Sequence, residues 1–165
     1  MLPAIVILAL AALGPAAASP GTSASLVQGT RQSADGRGTA LDASNGAGVH
    51  LHADGPGPWL GVSVGQVTRQ EAEGPGNALG AANAASVSVY SPGGDVRAEA
   101  TQFVLADVHG DGNDVLQTND MDVSVSTGGA SVSAEAVAGI GVEVTGDGNR
   151  VSAETRVDVV ATEVR

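Results

Sequence analysis

Apolar and polar residues alternate along most of the chain with a period of two. Val132, Ala134, Ala136, Ala138, Ile140, Val142 and Val144 fall on one face of an extended segment, with Ser131, Ser133, Glu135 and Glu143 on the other. Val96, Ala98, Ala100, Val104, Ala106 and Val108 repeat the pattern. So do Val115, Met121, Val123 and Val125, and later Val151, Ala153, Val157 and Val159. Successive side chains of a strand point to opposite faces, so this alternation predicts strands with one buried face. No segment after residue 18 carries a helical period. Val, Thr and Ser dominate, and Gly interrupts too often for stable helices.

The alternation is punctuated at a fixed interval. Gly74-Pro75-Gly76-Asn77, Pro92-Gly93-Gly94-Asp95, Gly110-Asp111-Gly112-Asn113, Gly128-Gly129-Ala130-Ser131 and Gly146-Asp147-Gly148-Asn149 each begin 18 residues after the one before. The same frame reaches back to Pro56-Gly57-Pro58, Gly38 and Pro20-Gly21. A fixed period of this length marks a repeat architecture. The predicted repeat turns are Gly74, Gly76, Asn77, Gly110, Gly112, Asn113, Gly128, Gly129, Gly146, Gly148 and Asn149.

The fold class is all-β, and two architectures fit. The first is a repetitive β-solenoid with 18-residue units. Each unit is then one coil of two short strands, with a Gly-rich arc and a softer second arc near Asn83, Thr101, Asn119, Ala138 and Thr155. The second is an antiparallel β-meander of long strands joined by two-residue Gly turns at Pro92-Gly93, Asp111-Gly112, Gly128-Gly129 and Asp147-Gly148. The meander requires strands longer than the about 3–10 residues usual in soluble proteins, so the solenoid is preferred.

The chain begins MLPAIVILALAALGPAAASP. An uncharged run from Ala4 to Leu13 leads to Gly14-Pro15 and the small residues Ala16-Ala17-Ala18, which predicts a signal peptide over 1–18. Residues 19–60 keep the Gly/Pro punctuation without clean alternation and form an irregular N-terminal segment or cap. Residues 61–165 are the regular β-repeat domain. The expected location is therefore outside the cytoplasm: periplasm, outer-membrane surface or extracellular.

Composition narrows the picture. Gly contributes 24 residues, and Trp59, Tyr90 and Phe103 are the only aromatics. An interior of Ala and Val buries little area per side chain, so the apposed backbones must lie close together. There is no Cys, which removes disulfides, thiolate nucleophiles and Cys-zinc sites. The net charge of −11 argues against nucleic-acid and anionic-membrane partners.

The element Gly-x-Gly-Asn followed two positions later by an apolar residue resembles the curlin repeat of bacterial surface fibres and of related holdfast-anchoring surface proteins. It is carried by Gly74-Pro75-Gly76-Asn77 with Leu79, Gly110-Asp111-Gly112-Asn113 with Val115, and Gly146-Asp147-Gly148-Asn149 with Val151. Asn83 and Asn119 supply the amide that follows in that repeat, where Thr155 stands in the third unit. The resemblance implies a secreted, self-associating or anchoring protein of surface attachment and biofilm. Gly110-Asp111-Gly112-Asn113-Asp114-Val115-Leu116 also resembles an RTX calcium-binding nonapeptide unit. That likeness implies a calcium-stabilised secreted module, with Ca²⁺ held by Asp111, Asn113 and Asp114. Only one unit carries the Asp, so no cofactor and no metal are expected.

Other candidate chemistry has plain readings. His50 and His52 share a strand face, but zinc needs a third ligand and only Asp54 is near; a solvated face is the expectation. His109 has no evident partner. Asp111, Asp114, Asp120 and Asp122 are read as turn and surface residues. No Ser lies in a nucleophile elbow, and no phosphate-binding Gly loop leads into a helix. Trp59 is expected to cap the apolar interior, with a sugar-stacking platform as the alternative. The function expected is a non-catalytic structural or adhesive surface component, an anchor or minor fibre subunit. Its partners would be other copies, another surface protein, polysaccharide or outer-membrane machinery. A carbohydrate-active β-helix enzyme is the alternative, for which no cluster of catalytic residues is evident.

Overall fold

The computed structural model describes residues 8–12, 16–17, 22–52, 59–128 and 131–163. Its strands are β1 (Leu8–Ala12), β2 (Ala16–Ala17), β3 (Thr22–Asp35), β4 (Ala40–His52), β5 (Leu60–Glu73), β6 (Ala78–Ser91), β7 (Val96–His109), β8 (Asp114–Thr127), β9 (Val132–Thr145) and β10 (Arg150–Glu163). One sheet, here sheet A, runs β1-β4-β6-β8-β10 with β2 also on β4; the other, sheet B, runs β3-β5-β7-β9. Every pairing is parallel. Consecutive long strands alternate between the sheets, so the protein is a β-solenoid and not an antiparallel meander.

The repeat unit and the coil differ. Leu60 pairs with Val96 and Ala78 with Asp114, a step of 36 residues. One coil is thus two 18-residue units, each a single straight strand of 14 residues in the fully described coils. The second bend expected inside each unit does not exist. Asn83 and Asn119 face inward within unbroken strands and are buried. Thr101 is exposed on the outer face of β7, and Ala138 points inward from β9. In the first coil β3 pairs with β5 and β4 with β6 at a step of 38. The two extra residues fall between β4 and β5, in a connection that includes Pro56-Gly57-Pro58, outside the described residues.

The interior is thin and layered, as the Ala/Val composition requires. Leu60, Val62, Val64, Val96, Ala98 and Ala100 of sheet B pack against Val49, Leu51, Val87, Val89, Val123 and Val125 of sheet A. Leu41, Leu79, Val108 and Val115 fill the opposite end of the cross-section.

Between these apolar ends run polar ladders. Gln102 Nε2 donates to Gln66 Oε1 at 2.6 Å, and Gln66 Nε2 to Gln28 Oε1 at 2.8 Å. Gln70 donates to Gln32 Oε1, and Gln117 to Gln70 Oε1. Asn45 Nδ2 donates to Asn83 Oδ1, which also accepts from Thr68 Oγ1 at 2.7 Å. A buried amide without a partner costs about 1–3 kcal/mol. Stacking identical amides coil on coil removes most of that cost, so the ladders tolerate burial and fix the register.

The Gln ladder stops at Ala138, the β9 partner of Gln102, and Gln102 Oε1 is left without a partner. Ala138→Gln should therefore donate to Gln102 and raise stability by ~1 kcal/mol. That is a rise of about 2–4 °C in melting temperature for a chain of this size, read by thermal unfolding. An unchanged or lower Tm would contradict the ladder account.

Candidate functional site

Among the described residues, all the sequence-predicted turn residues but Gly128 gather on one long edge of the solenoid. Gly36-Arg37-Gly38-Thr39, Gly74-Pro75-Gly76-Asn77, Gly110-Asp111-Gly112-Asn113 and Gly146-Asp147-Gly148-Asn149 stack as successive arcs joining sheet B to sheet A. Gly128 belongs to the opposite edge, where Gly128 N–H donates to Ser91 O at 3.0 Å. Gly129 lies outside the described residues.

Each arc uses its Gly and Asn for definite jobs. Gly110 has φ 129 and Gly112 φ 67, conformations that L side chains avoid. Asn113 Nδ2 donates to Gly110 O within its own arc, and its Oδ1 accepts the backbone N–H of Asn77 at 2.7 Å in the coil before. Asn77 does the same with Gly74 O and Thr39 N–H, and Asn149 Oδ1 accepts from Asn113 N–H. The backbone continues the pattern: Gly74 N–H donates to His109 O, Gly76 to Asp111 O, Gly110 to Thr145 O and Gly112 to Asp147 O. Asn in Gly-x-Gly-Asn is thus a clamp between coils.

Of the calcium-type side chains, those of Asp111 and Asn113 bond between or within arcs and that of Asp114 does not. Asp111 Oδ1 accepts the backbone N–H of Asp147 at 2.8 Å, Asn113 is the clamp, and Asp114 opens β8 with its side chain exposed. Among the described residues no three His, Cys, Asp or Glu side chains are grouped to hold a metal ion. His50 and His52 lie exposed on the outer face of sheet A, where the His52 ring stacks on Tyr90 with centroids 4.8 Å apart. Asp54, the third ligand considered for them, lies outside the described residues.

The outer face of sheet B carries the densest charge. Ser33, Asp35, Glu71, Glu73, Asp107 and His109 line a shallow cleft of about 440 Å³. His109 Nε2 is 3.2 Å from Asp107 Oδ1, both well exposed. Ser33 is on β3 and the pair on β7, with β5 between them, so no Ser-His-Asp relay forms. Arg31 hydrogen-bonds the Glu71 carboxylate at 3.1 Å, and Arg69 pairs with it as well. Arg31's hydrogen bond, opposed by partial desolvation and aided by the charges of Arg31 and Arg69, holds the Glu71 carboxyl below its usual range. A depressed carboxyl stabilises the fold above its unfolded value and loses that contribution as pH falls through the folded one.

Trp59 is not a cap. Gly61 points outward between inward Leu60 and Val62, and the indole covers it; a Cβ there would lie 3.0 Å from Trp59 Cζ2. The ring is 45% exposed and shares a shallow cleft with Ser23, Ser25, Ser63 and the Arg97–Glu99 ion pair.

What the sequence reading missed is the set of buried amide ladders, Gln28–Gln66–Gln102 and Asn45–Asn83. β10 is exposed on both faces along Arg150–Thr162, and its inner row includes Val151, Val157 and Val159 at 47%, 42% and 43% exposure. The N–H groups of Gly146, Gly148 and Asn149 have no partner among the described residues. Fold and edge together define the class: a parallel β-solenoid with asparagine-clamped glycine arcs. No family model, no curated protein and no solved structure matches the chain.

Proposed function

We propose that the chain is an exported, non-catalytic structural or adhesive component of a bacterial surface, an anchor or minor fibre subunit. The observation that carries this reading is the uninterrupted run of coil-to-coil clamps along one edge, Thr39–Asn77–Asn113–Asn149. Such a chain devotes its polar residues to holding a lattice, while its charged groups stay spread over open faces. The lattice of clamps supports a structural role. The adhesive role is supported by Trp59, an exposed indole flanked by serine hydroxyls; an aromatic ring with polar neighbours suits a polysaccharide or protein surface with apolar and hydroxyl groups.

The proposal includes loss of residues 1–18 on export. Intact-mass measurement of the chain from envelope and secreted fractions should give a protein beginning at Ser19. A mass that still includes Met1–Ala18, or a chain found only in the cytoplasm, would overturn the reading.

A further inference from the structure

Starting from the adhesive reading above, on which this step rests, we infer that the outer face of sheet B is a track for a neutral polysaccharide of equatorially linked pyranoses, lying along the strands from Trp59 to Phe103.

Both rings are laid down on glycine. Trp59 covers Gly61: its consecutive atoms Cζ2, Cη2 and Cζ3 lie 3.0, 2.5 and 3.1 Å from where a Cβ would sit. Near-equal distances to three neighbouring ring atoms mark an approach to the face of the ring rather than to its edge. The opposite face of the indole is thereby turned to solvent. Phe103 leans over Gly139, with Cε1 and Cδ1 2.9 and 3.0 Å from the corresponding point. A larger residue at either glycine would lift the ring off the sheet. Both rings are exposed, so the fold gains little of the stabilisation that burying an aromatic side chain gives. A ligand laid over them would recover it.

The two rings are joined by open ground. Gly61 pairs with Arg97 and Val67 with Phe103 in one unbroken register. From Gly61 to Val67 is ~20 Å at about 3.3 Å per residue, the length of several pyranose rings. Over that length β5 and β7 present Ser63, Gly65, Glu99 and Thr101 outward, a low track with hydroxyls along it. At the Phe103 end the exposed Val67, Leu105 and Val137 widen the apolar ground.

The chemistry of the ligand follows from these surfaces. An equatorially linked pyranose carries its hydroxyls around a rim and its axial C–H bonds on an apolar face, which stacks on an aromatic ring. At Trp59 the rim is met by Ser23, Ser25, Ser63, Arg97 and Glu99 around a shallow cleft of about 270 Å³. Arg97 Nε donates to Glu99 Oε1 at 2.7 Å, which holds a donor group and an acceptor group side by side for sugar hydroxyls; charge-assisted bonds of that kind are the strong ones. Charge excludes an anionic glycan, because the chain carries −11 and Glu99 stands opposite Glu135 across β7 and β9. Shape disfavours a protein partner. Protein anchors seek well-packed pockets at the centre of an interface, and the centre of this face is the low track.

Trp59 is the only tryptophan, so its fluorescence reports the site directly. The full chain is titrated with cellohexaose and xylohexaose, with maltohexaose as the axially linked control and a mannuronate hexamer as the equatorially linked anionic one. A neutral, equatorially linked hexamer should shift the Trp59 emission and saturate, and each control should bind at least about tenfold more weakly, a difference of 1.4 kcal/mol. By calorimetry, Trp59→Ala and Phe103→Ala should each weaken hexamer binding about tenfold. Phe103→Ala should leave the response to cellobiose unchanged, since a disaccharide covers Trp59 alone. Gly61→Thr, which keeps the indole but lifts it, should weaken binding as far as Trp59→Ala. Circular dichroism of the variants should match wild type, because all three positions are on the outer face. Wild-type emission unmoved by both neutral equatorial hexamers overturns the inference whatever the variants do, as does a shift produced only by a protein partner. Equal affinity for either control, or full affinity in Trp59→Ala or Gly61→Thr, overturns it too. An exported, surface-located chain that binds neither sugar would sink this inference alone and leave the structural role standing. A chain that binds them but is found only in the cytoplasm would sink the export reading and leave the track.

Discussion

Gly110→Ala should cost ~3 kcal/mol or more, and Gly112→Ala, two residues away in the same arc, only ~1–2 kcal/mol. Both glycines have positive φ, 129 and 67, and an L residue held there costs roughly 1–2 kcal/mol. The difference lies in what surrounds them. A Cβ on Gly112 meets nothing within 4 Å. A Cβ on Gly110 runs into the carbonyl of Gly74 in the neighbouring arc, 2.6 Å from its carbon. That carbonyl cannot move freely, because Gly74 O is also the acceptor of Asn77 Nδ2. Relief would require prising arcs apart, which breaks the Gly74 N–H to His109 O bond at 2.8 Å. Chemical denaturation of the two variants, with the slope checked for constancy, measures the contrast. Equal costs would mean that the arcs are not in backbone contact and that the glycines serve conformation alone.

Much of the fold was legible in the residues, and the part that was not has a physical cause. The alternation of Val96, Ala98, Ala100, Val104, Ala106 and Val108 gave the inward face of β7 correctly, and the Gly-rich elements located the arcs. The coil length was misjudged because Asn83 and Asn119 look like breaks in an apolar row. An amide inside a strand pattern normally signals a bend or a solvated site, unless another amide sits directly above it. That condition is non-local, set by a neighbour one coil away. The signal was present all the same: Gln28, Gln66 and Gln102 recur at the coil step, as do Asn45, Asn83 and Asn119. Gly-x-Gly-Asn occurs only at every second 18-residue mark, alternating with Pro92-Gly93-Gly94-Asp95 and Gly128-Gly129-Ala130-Ser131. Two kinds of arc in alternation already imply two edges and a coil of two units. The preference for short strands also misled. The parallel coil lets a strand of 14 residues be supported along its whole length by the strands above and below, which the usual strand-length range does not anticipate.

Trp59 was misplaced for a different reason. Its position beside Gly55-Pro56-Gly57-Pro58 suggested a capping role, but capping depends on which face the chain presents as it enters β5. Leu60 takes the inward position, and the indole is left on the outer side over Gly61. Only the phase of the first strand residue decides this, and a Gly/Pro connection carries no phase.

The second large effect is expected at the centre of the interior. Asn83→Leu should destabilise the protein by ~3 kcal/mol, and Asn119→Leu by ~1 kcal/mol or less. The two residues occupy equivalent positions in adjacent coils and are equally buried, so volume and apolar area change alike. Their hydrogen bonding does not. Asn83 Oδ1 accepts from Asn45 Nδ2 at 3.2 Å and from Thr68 Oγ1 at 2.7 Å, while its Nδ2 donates to Phe103 O at 3.0 Å. Leucine there strips an acceptor from two buried donors and a donor from one carbonyl. Asn45 keeps its 2.8 Å bond to Thr68 Oγ1, which limits the loss. Asn119 donates to Gly139 O at 2.8 Å, but its Oδ1 has no partner. Replacing it removes one bond and also one buried unsatisfied oxygen, and these largely offset. Loss of the Asn83 node should also raise amide exchange in β5 and β6 more than in β9, because repeat stability is held by nearest neighbours. Denaturant midpoints for both variants, with hydrogen exchange on Asn83→Leu, test the account. Similar costs at the two positions would show that burial, and not the ladder, sets the stability of this interior.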